Sequence, residues 1–428
     1  MRYIYALIAV FAFAGCSISE PRSLLRDLKT MPQDASYYTA KETISPFSSS
    51  NIKRDYFAIW HEVPKVDMAY ARWAFDLFDA NNSYGENYLP KSEEFFSHML
   101  DEASLDELMS YASKGVMIQN SSLRAMPTSR MIFLDPTKAG EGFPFDYLQT
   151  SAIYANEPVV ISHYSKSKKW IYVVASFASG WVRSSEVAFV DDDLASRIES
   201  CDLVVSTRDK EAIYNENGLF LFGSRVGMIF YKPQIYAKSH KALAFARDLD
   251  AKSVEMLVDL DPSVFKPLPL ELNMANIEQI YAELYKNIYG WGGMYDERDC
   301  SSMVRDLFMT FGKWLPRNSK EQAQMGKQIS LLGLSGEAKL ELIKKEGVAF
   351  RTLIYKKGHI MLYVGTLDDE VVVFHNTWGV RTKDALGKEG RYVVGGAIYS
   401  TLRLGKELKN FDKKSELLEG IESLSIIE

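Results

Sequence analysis

The stretch Tyr289–Phe311, YGWGGMYDERDCSSMVRDLFMTF, decides how the chain is read. A Trp-Gly-Gly turn leads into a polar segment, then Asp299-Cys300-Ser301-Ser302, then Val304, Leu307, Phe308 and Phe311 at helical spacing. Cys300 therefore falls at a helix N-terminus. A free thiol has a pKa of about 8.5 and reacts as the thiolate, and helix-start N–H groups with the positive end of the helix dipole stabilise that anion. The same N–H groups can hold an oxyanion. A free Cys is more often a small buried hydrophobe, but Asp and two Ser are poor core neighbours.

Working outward, the 428-residue chain is too long for one ordinary core, and several domains are expected. Its 50 Lys and Arg against 56 Asp and Glu leave no basic excess, so a nucleic-acid partner is not indicated. Three cysteines, Cys16, Cys201 and Cys300, exclude a disulfide framework. The first has its own explanation. Arg2, the uncharged apolar run Tyr3–Ala14 and Gly15-Cys16 read as a secretory signal, too short to span a bilayer.

From Ser17 to about Ser50 no period is sustained, and the segment reads as a tether wrapped loosely on the body. Helical spacing begins near Met68, and a second helix is predicted over Ser104–Ser113, closed by Lys114-Gly115. From Val116 the period shortens to strands separated by Pro, Gly, Ser and Asn clusters, and a second set runs from Leu203 to about Lys266. Within it Asn217-Gly218 marks a hairpin turn. Cys201, His61, His98, His163 and His240 have no partners at ligand spacing and read as structural. Pro267-Leu268-Pro269-Leu270 then opens the last domain.

A nucleophilic thiolate needs a base and a group that fixes the base. In GHIMLYVGTLDDEVVVFHNTWG, His359 begins one strand and His375 ends the next, with an acidic turn at Asp368-Asp369 between them. The two become cross-strand neighbours on one face if they pair directly. His359 is the candidate base and His375 its orienter. No C-x-x-C or H-x-x-x-H spacing supports a metal, and thiol chemistry needs no cofactor.

Tyr289–Gly293, Asp299–Ser302, Leu315–Gln322, Gly358–Gly365 and His375 together resemble the motif run of the NlpC-type cell-wall cysteine peptidases, a papain-like family. The resemblance implies an α+β chain with a lipoprotein signal at 1–16, a tether and helical stabilising module at 17–115, SH3-like barrels at 116–192 and 193–266, and the peptidase domain at 267–428. It implies hydrolysis of peptidoglycan stem peptides at the γ-D-glutamyl bond to meso-diaminopimelate or L-Lys. Asp299, Ser301 and Ser319 would contact substrate, Trp291 would line the groove, and Asp146-Tyr147 is the candidate for recognising the stem's free amino terminus. The FAGC ending resembles a lipobox, which implies acylation of Cys16 and anchoring to a bilayer, at the periplasmic face of the outer membrane in a Gram-negative cell. A catalytically silent wall-binding lipoprotein, or an amidase or acyltransferase of the same fold, is the alternative.

Overall fold

A computed structural model of the protein describes residues 25–44, 47, 51–62 and 66–428. Cys16 and the signal reading lie outside them. Three antiparallel assemblies follow one another along the chain. The first is a seven-stranded sheet from Ser113–Met117 to Val187–Phe189. The second is a five-stranded sheet from Asp202–Ser206 to Phe265–Pro267, with a hairpin of Ala212–Tyr214 and Phe220–Gly223 beside it. Gly218 has φ 75°, which a tight hairpin turn demands.

The third assembly is a six-stranded sheet in the order Lys327–Ser330, Ile421–Ile426, Thr352–Lys356, His359–Leu367, Glu370–Lys383 and Glu389–Thr401. Helix Cys300–Thr310 packs on it, with Met303, Val304, Leu307 and Phe308 set against Ile360, Leu362, Val372 and Phe374. Burial of each such side chain stabilises the fold by about 1.5–3 kcal/mol. One side of the Cys300 helix is thereby fixed against the hairpin that carries both histidines.

Two expectations are corrected. The helix read over Ser104–Ser113 is instead Glu93–Ala103, closed by Ser104 in the left-handed region at φ 41°. Ser113–Met117 is a strand, and Gly115 sits within it rather than capping a helix: a Cβ there would lie 2.8 Å from Ile161 Cδ1. The supposed loose tether is also ordered where it is described. Helices Arg26–Thr30 and Ala35–Thr39 lie on the catalytic sheet, and Tyr38 is 1% exposed. Its apolar residues are too sparse to form a period, but they dock on a surface made elsewhere.

Candidate active site

The nucleophile helix starts where the sequence places it. Asp299 is the N-cap: its carboxylate accepts from the Ser302 amide at 2.8 Å, and Ser302 Oγ accepts from the Asp299 amide at 2.9 Å. Such a cap stabilises a helix by about 1 kcal/mol. Cys300 is the first helical residue and is 8% exposed.

The turn before it is shaped by the first barrel. Gly292 and Gly293 have φ of 58° and 79°, and a Cβ on Gly293 would lie 2.6 Å from the Ala152 amide nitrogen. A Cβ on Gly292 would collide with the Gln149 carbonyl. The Trp-Gly-Gly turn thus lets two backbones touch, and Gln149 Nε2 donates to the Gly292 carbonyl at 3.0 Å.

The histidines meet across the hairpin, whose Asp368 and Asp369 turn residues have φ of 47° and 67°. They are diagonal rather than directly opposed, since Leu362 pairs with Phe374 and Tyr363 with Val373. His359 Nε2 lies 2.8 Å from His375 Nδ1, and His375 Nε2 lies 2.9 Å from Ser400 Oγ. The amide of Ile360, the residue next to His359, is close enough to Cys300 to favour its thiolate. The start of the Cys300 helix and the two histidines are therefore neighbours.

The electrostatics differ from the expectation of a lowered thiol pKa. Burial first, then the Asp299 carboxylate, push Cys300 up to about 12, against the Ile360 and Ser301 amides and Arg317. Burial and the Lys356 charge push His359 down to about 4, against Asp299. His375 is driven well below its ordinary value by burial and by His359. The resting pair is a neutral thiol beside a neutral imidazole. The helix dipole is outweighed because Cys300 itself is buried and its nearest charge is negative.

That carboxylate is paired with a residue to which the motif reading gave no role. Arg317 grips Asp299 through Nη2 at 2.6 Å and Nη1 at 3.2 Å, while Nη1 reaches Ser301 Oγ at 2.9 Å. Gln322 Nε2 donates to the Ser301 carbonyl at 2.9 Å. Ser319 opens the short helix Ser319–Gln322 and is half-buried. Ser400 carried no sequence signal, being one Ser in a strand. The third partner of the histidine pair was therefore missed.

Trp291 Nε1 donates to the Asp146 carbonyl at 3.0 Å, and its ring lies 5.2 Å from Phe145 and 5.8 Å from Tyr147. Phe145 also meets Trp378 at 5.7 Å, and Trp378 meets Tyr289 at 6.0 Å. The expectation that Asp146 offers a charge to a ligand does not hold. Its carboxylate is fully buried, paired with Arg124 at 2.6 Å and bonded by the Ile132 and Leu148 amides. Tyr147 donates to Glu141 at 3.0 Å. Among the described residues no group of three or more His, Cys, Asp or Glu is placed to hold a metal ion.

Three family models match the chain: the NLPC_P60 stabilising domain, N term, over 4–108, an SH3 domain of SH3b1 type over 131–183, and the NlpC/P60 family over 286–384. No curated protein matches. A solved NlpC/P60 endopeptidase from Photobacterium damselae subsp. piscicida is similar over 93% of this chain and 97% of its own, with TM-score 0.82 and 23% identity. An NlpC/P60 family protein from Bacillus cereus ATCC 10987 covers 74% of this chain and 99% of its own at TM-score 0.47 and 13% identity. At 23% identity the likeness to the Photobacterium structure is one of fold. With all three models falling in the order the sequence implied, the chain carries an NlpC/P60 domain at 286–384, preceded by a stabilising domain and an SH3b1-type domain.

Proposed function

We propose that the protein is a peptidoglycan hydrolase that cuts stem peptides at the γ-D-glutamyl bond to meso-diaminopimelate or L-Lys, by a Cys300-His359-His375 mechanism. One observation carries the reading: a buried helix-start Cys on the helix that packs against the strand begun by His359, with His375 Nδ1 2.8 Å from that histidine. His359 takes the thiol proton as Cys300 Sγ attacks the γ-glutamyl carbonyl, and helix-start amides hold the oxyanion. His359 then protonates the departing amine, and water hydrolyses the thioester. Asp299, Ser301, Ser319, Trp291 and Tyr147 are proposed to border the substrate.

The aromatic contacts from Phe145 to Trp291 and Trp378 favour released peptides over intact wall, because a barrel loop narrows the approach. The protein is further proposed to be exported and anchored by acylated Cys16. Arg2, the apolar run and Gly15-Cys16 support this.

Mass spectrometry after incubation with intact sacculi and with free L-Ala-γ-D-Glu-diaminopimelate tests the activity. Release of L-Ala-γ-D-Glu from the free peptide is expected, and Cys300→Ala should abolish it while moving stability by less than about 1 kcal/mol. Turnover retained in Cys300→Ala would sink the assignment.

A further inference from the structure

Strand Glu389–Thr401 forms one edge of the catalytic sheet, and alternate residues near its end serve different partners. Tyr399 and Thr401 meet the N-terminal arm. Gln33 bonds both backbone groups of Tyr399, Nε2 donating to the carbonyl at 2.8 Å and Oε1 accepting from the amide at 3.0 Å. Asp27, 2% exposed, accepts through Oδ2 from the amide and hydroxyl of Thr401 at 2.8 and 2.9 Å. The Tyr38 ring stacks on that of Tyr399 at 5.2 Å. Ser400 lies between them and meets His375 instead.

Ser400 Oγ is 3.0 Å from the Thr401 carbonyl as well as 2.9 Å from His375 Nε2. A hydroxyl has one proton, and a carbonyl can only accept, so that proton goes to Thr401. Oγ must then accept from His375, which sets the proton on Nε2 and leaves Nδ1 as a lone pair. The 2.8 Å contact with His359 in turn requires a proton on His359 Nε2. Nδ1 of His359 is the nitrogen left bare. In the reverse direction two acceptors would face each other at Ser400, and His359 Nδ1 would already carry a proton. It could then receive none from a thiol.

We propose that Ser400, held through Thr401 and Tyr399 by Asp27 and Gln33 of the N-terminal arm, is a positioning residue that fixes the tautomers of both histidines and makes Nδ1 of His359 the base. The proposal rests on Cys300 being the nucleophile. Both imidazoles are uncharged at neutral pH, so the tautomer rather than the charge state is what remains to be set.

The test is nitrogen-15 NMR of the histidines in the full chain, which reads tautomers directly and needs no substrate. Protons on Nε2 of both His359 and His375 are expected in the unsubstituted protein, and mixed tautomers in Ser400→Ala. Turnover of the free peptide should show kcat reduced about tenfold or more in Ser400→Ala and Asp27→Ala with KM unchanged, since a wrong tautomer removes the base. Asp27→Asn, whose amide oxygen can still accept from Thr401, should stay near full activity. A proton on His359 Nδ1 in the unsubstituted protein overturns the proposal, as do unaltered tautomers and kcat in a folded Ser400→Ala. If Ser400→Ala does not fold, the unsubstituted spectrum decides alone. If no form cleaves any peptide, the hydrolase reading fails while the spectrum still decides this one.

Discussion

The two small barrels are built from similar antiparallel strands, yet they grip the catalytic domain by different chemistry. The first meets it at the turn before Cys300, with backbone contact at Gly292 and Gly293, the aromatic set of Phe145, Tyr147 and Trp291, and Ser151 accepting from Arg317 at 2.8 Å. The second meets it behind the nucleophile helix through buried charge. Asp209 takes a two-pronged bond from Arg298, at 2.5 and 2.9 Å, and Arg298 also holds Asp306 at 2.7 Å. Gly227 lies against the Asp306 backbone, where a Cβ would come within 2.7 Å of the carbonyl. An aromatic pair adds about 0.5–1.5 kcal/mol beyond its area, whereas breaking one side of a buried ion pair costs about 3–5 kcal/mol. The first barrel also reaches that helix, Tyr154 donating to Asp306 at 2.7 Å, but the two-pronged Arg298 pair makes the second the larger contributor to stability, and the aromatic set makes the first the one that shapes the approach.

The sharpest way to break that division is Arg298→Met. It removes the guanidinium shared by Asp209 and Asp306 and leaves them the weaker pairings with Arg225 and Arg305, and a loss of about 3 kcal/mol in unfolding free energy is expected by denaturant titration. A loss no larger than that of a surface substitution would mean the second barrel is not the structural anchor.

Acid separates the two regions next. Against the cost of burial, Arg298 and Arg225 hold Asp209 well below the usual carboxylate range, so the second interface keeps its charge in mild acid. His359 is depressed from its ordinary 6.5 to about 4. The unfolded chain thus binds its proton first, and this contribution to stability is full above about pH 6.5 and is lost as pH falls through about 4. Because the base stays neutral down to that value, the acid limb of kcat/KM should lie near pH 4 to 5. A limb between 6 and 7 in a pH–rate profile would mean that His359 keeps an ordinary imidazole pKa and that burial does not depress it.

The sequence carried the catalytic elements further than their surroundings. The helical period after Cys300 and the two apolar runs flanking Asp368-Asp369 are local patterns, and they specified the helix start and the hairpin. The thiol's environment was not local. A raised rather than lowered pKa follows from burial under the hairpin and the barrel, which no spacing in Asp299–Ser302 encodes. Asp146 misled for the same reason, since a carboxylate in a turn reads as exposed until Arg124, 22 residues earlier, is found beside it. The arm's Asp27 and Gln33 act across more than 360 residues, beyond any periodic signal.

The smallest expected effect tests the first barrel. Phe145 lies between Trp291 and Trp378, which connect through Tyr289 to the surroundings of Cys300. Phe145 is half-buried and touches no charged network, so Phe145→Ala should cost only about 1 kcal/mol in stability. Its effect belongs in binding: KM for the free peptide should rise roughly three- to tenfold with kcat nearly unchanged, because the ring contributes equally to ground and transition states. Cleavage of intact sacculi should rise from background in the same variant, since the ring narrows the approach. A fall in kcat with KM unchanged would instead place the first barrel in the chemistry, acting through the turn at Gly292 and Gly293 on the start of the nucleophile helix.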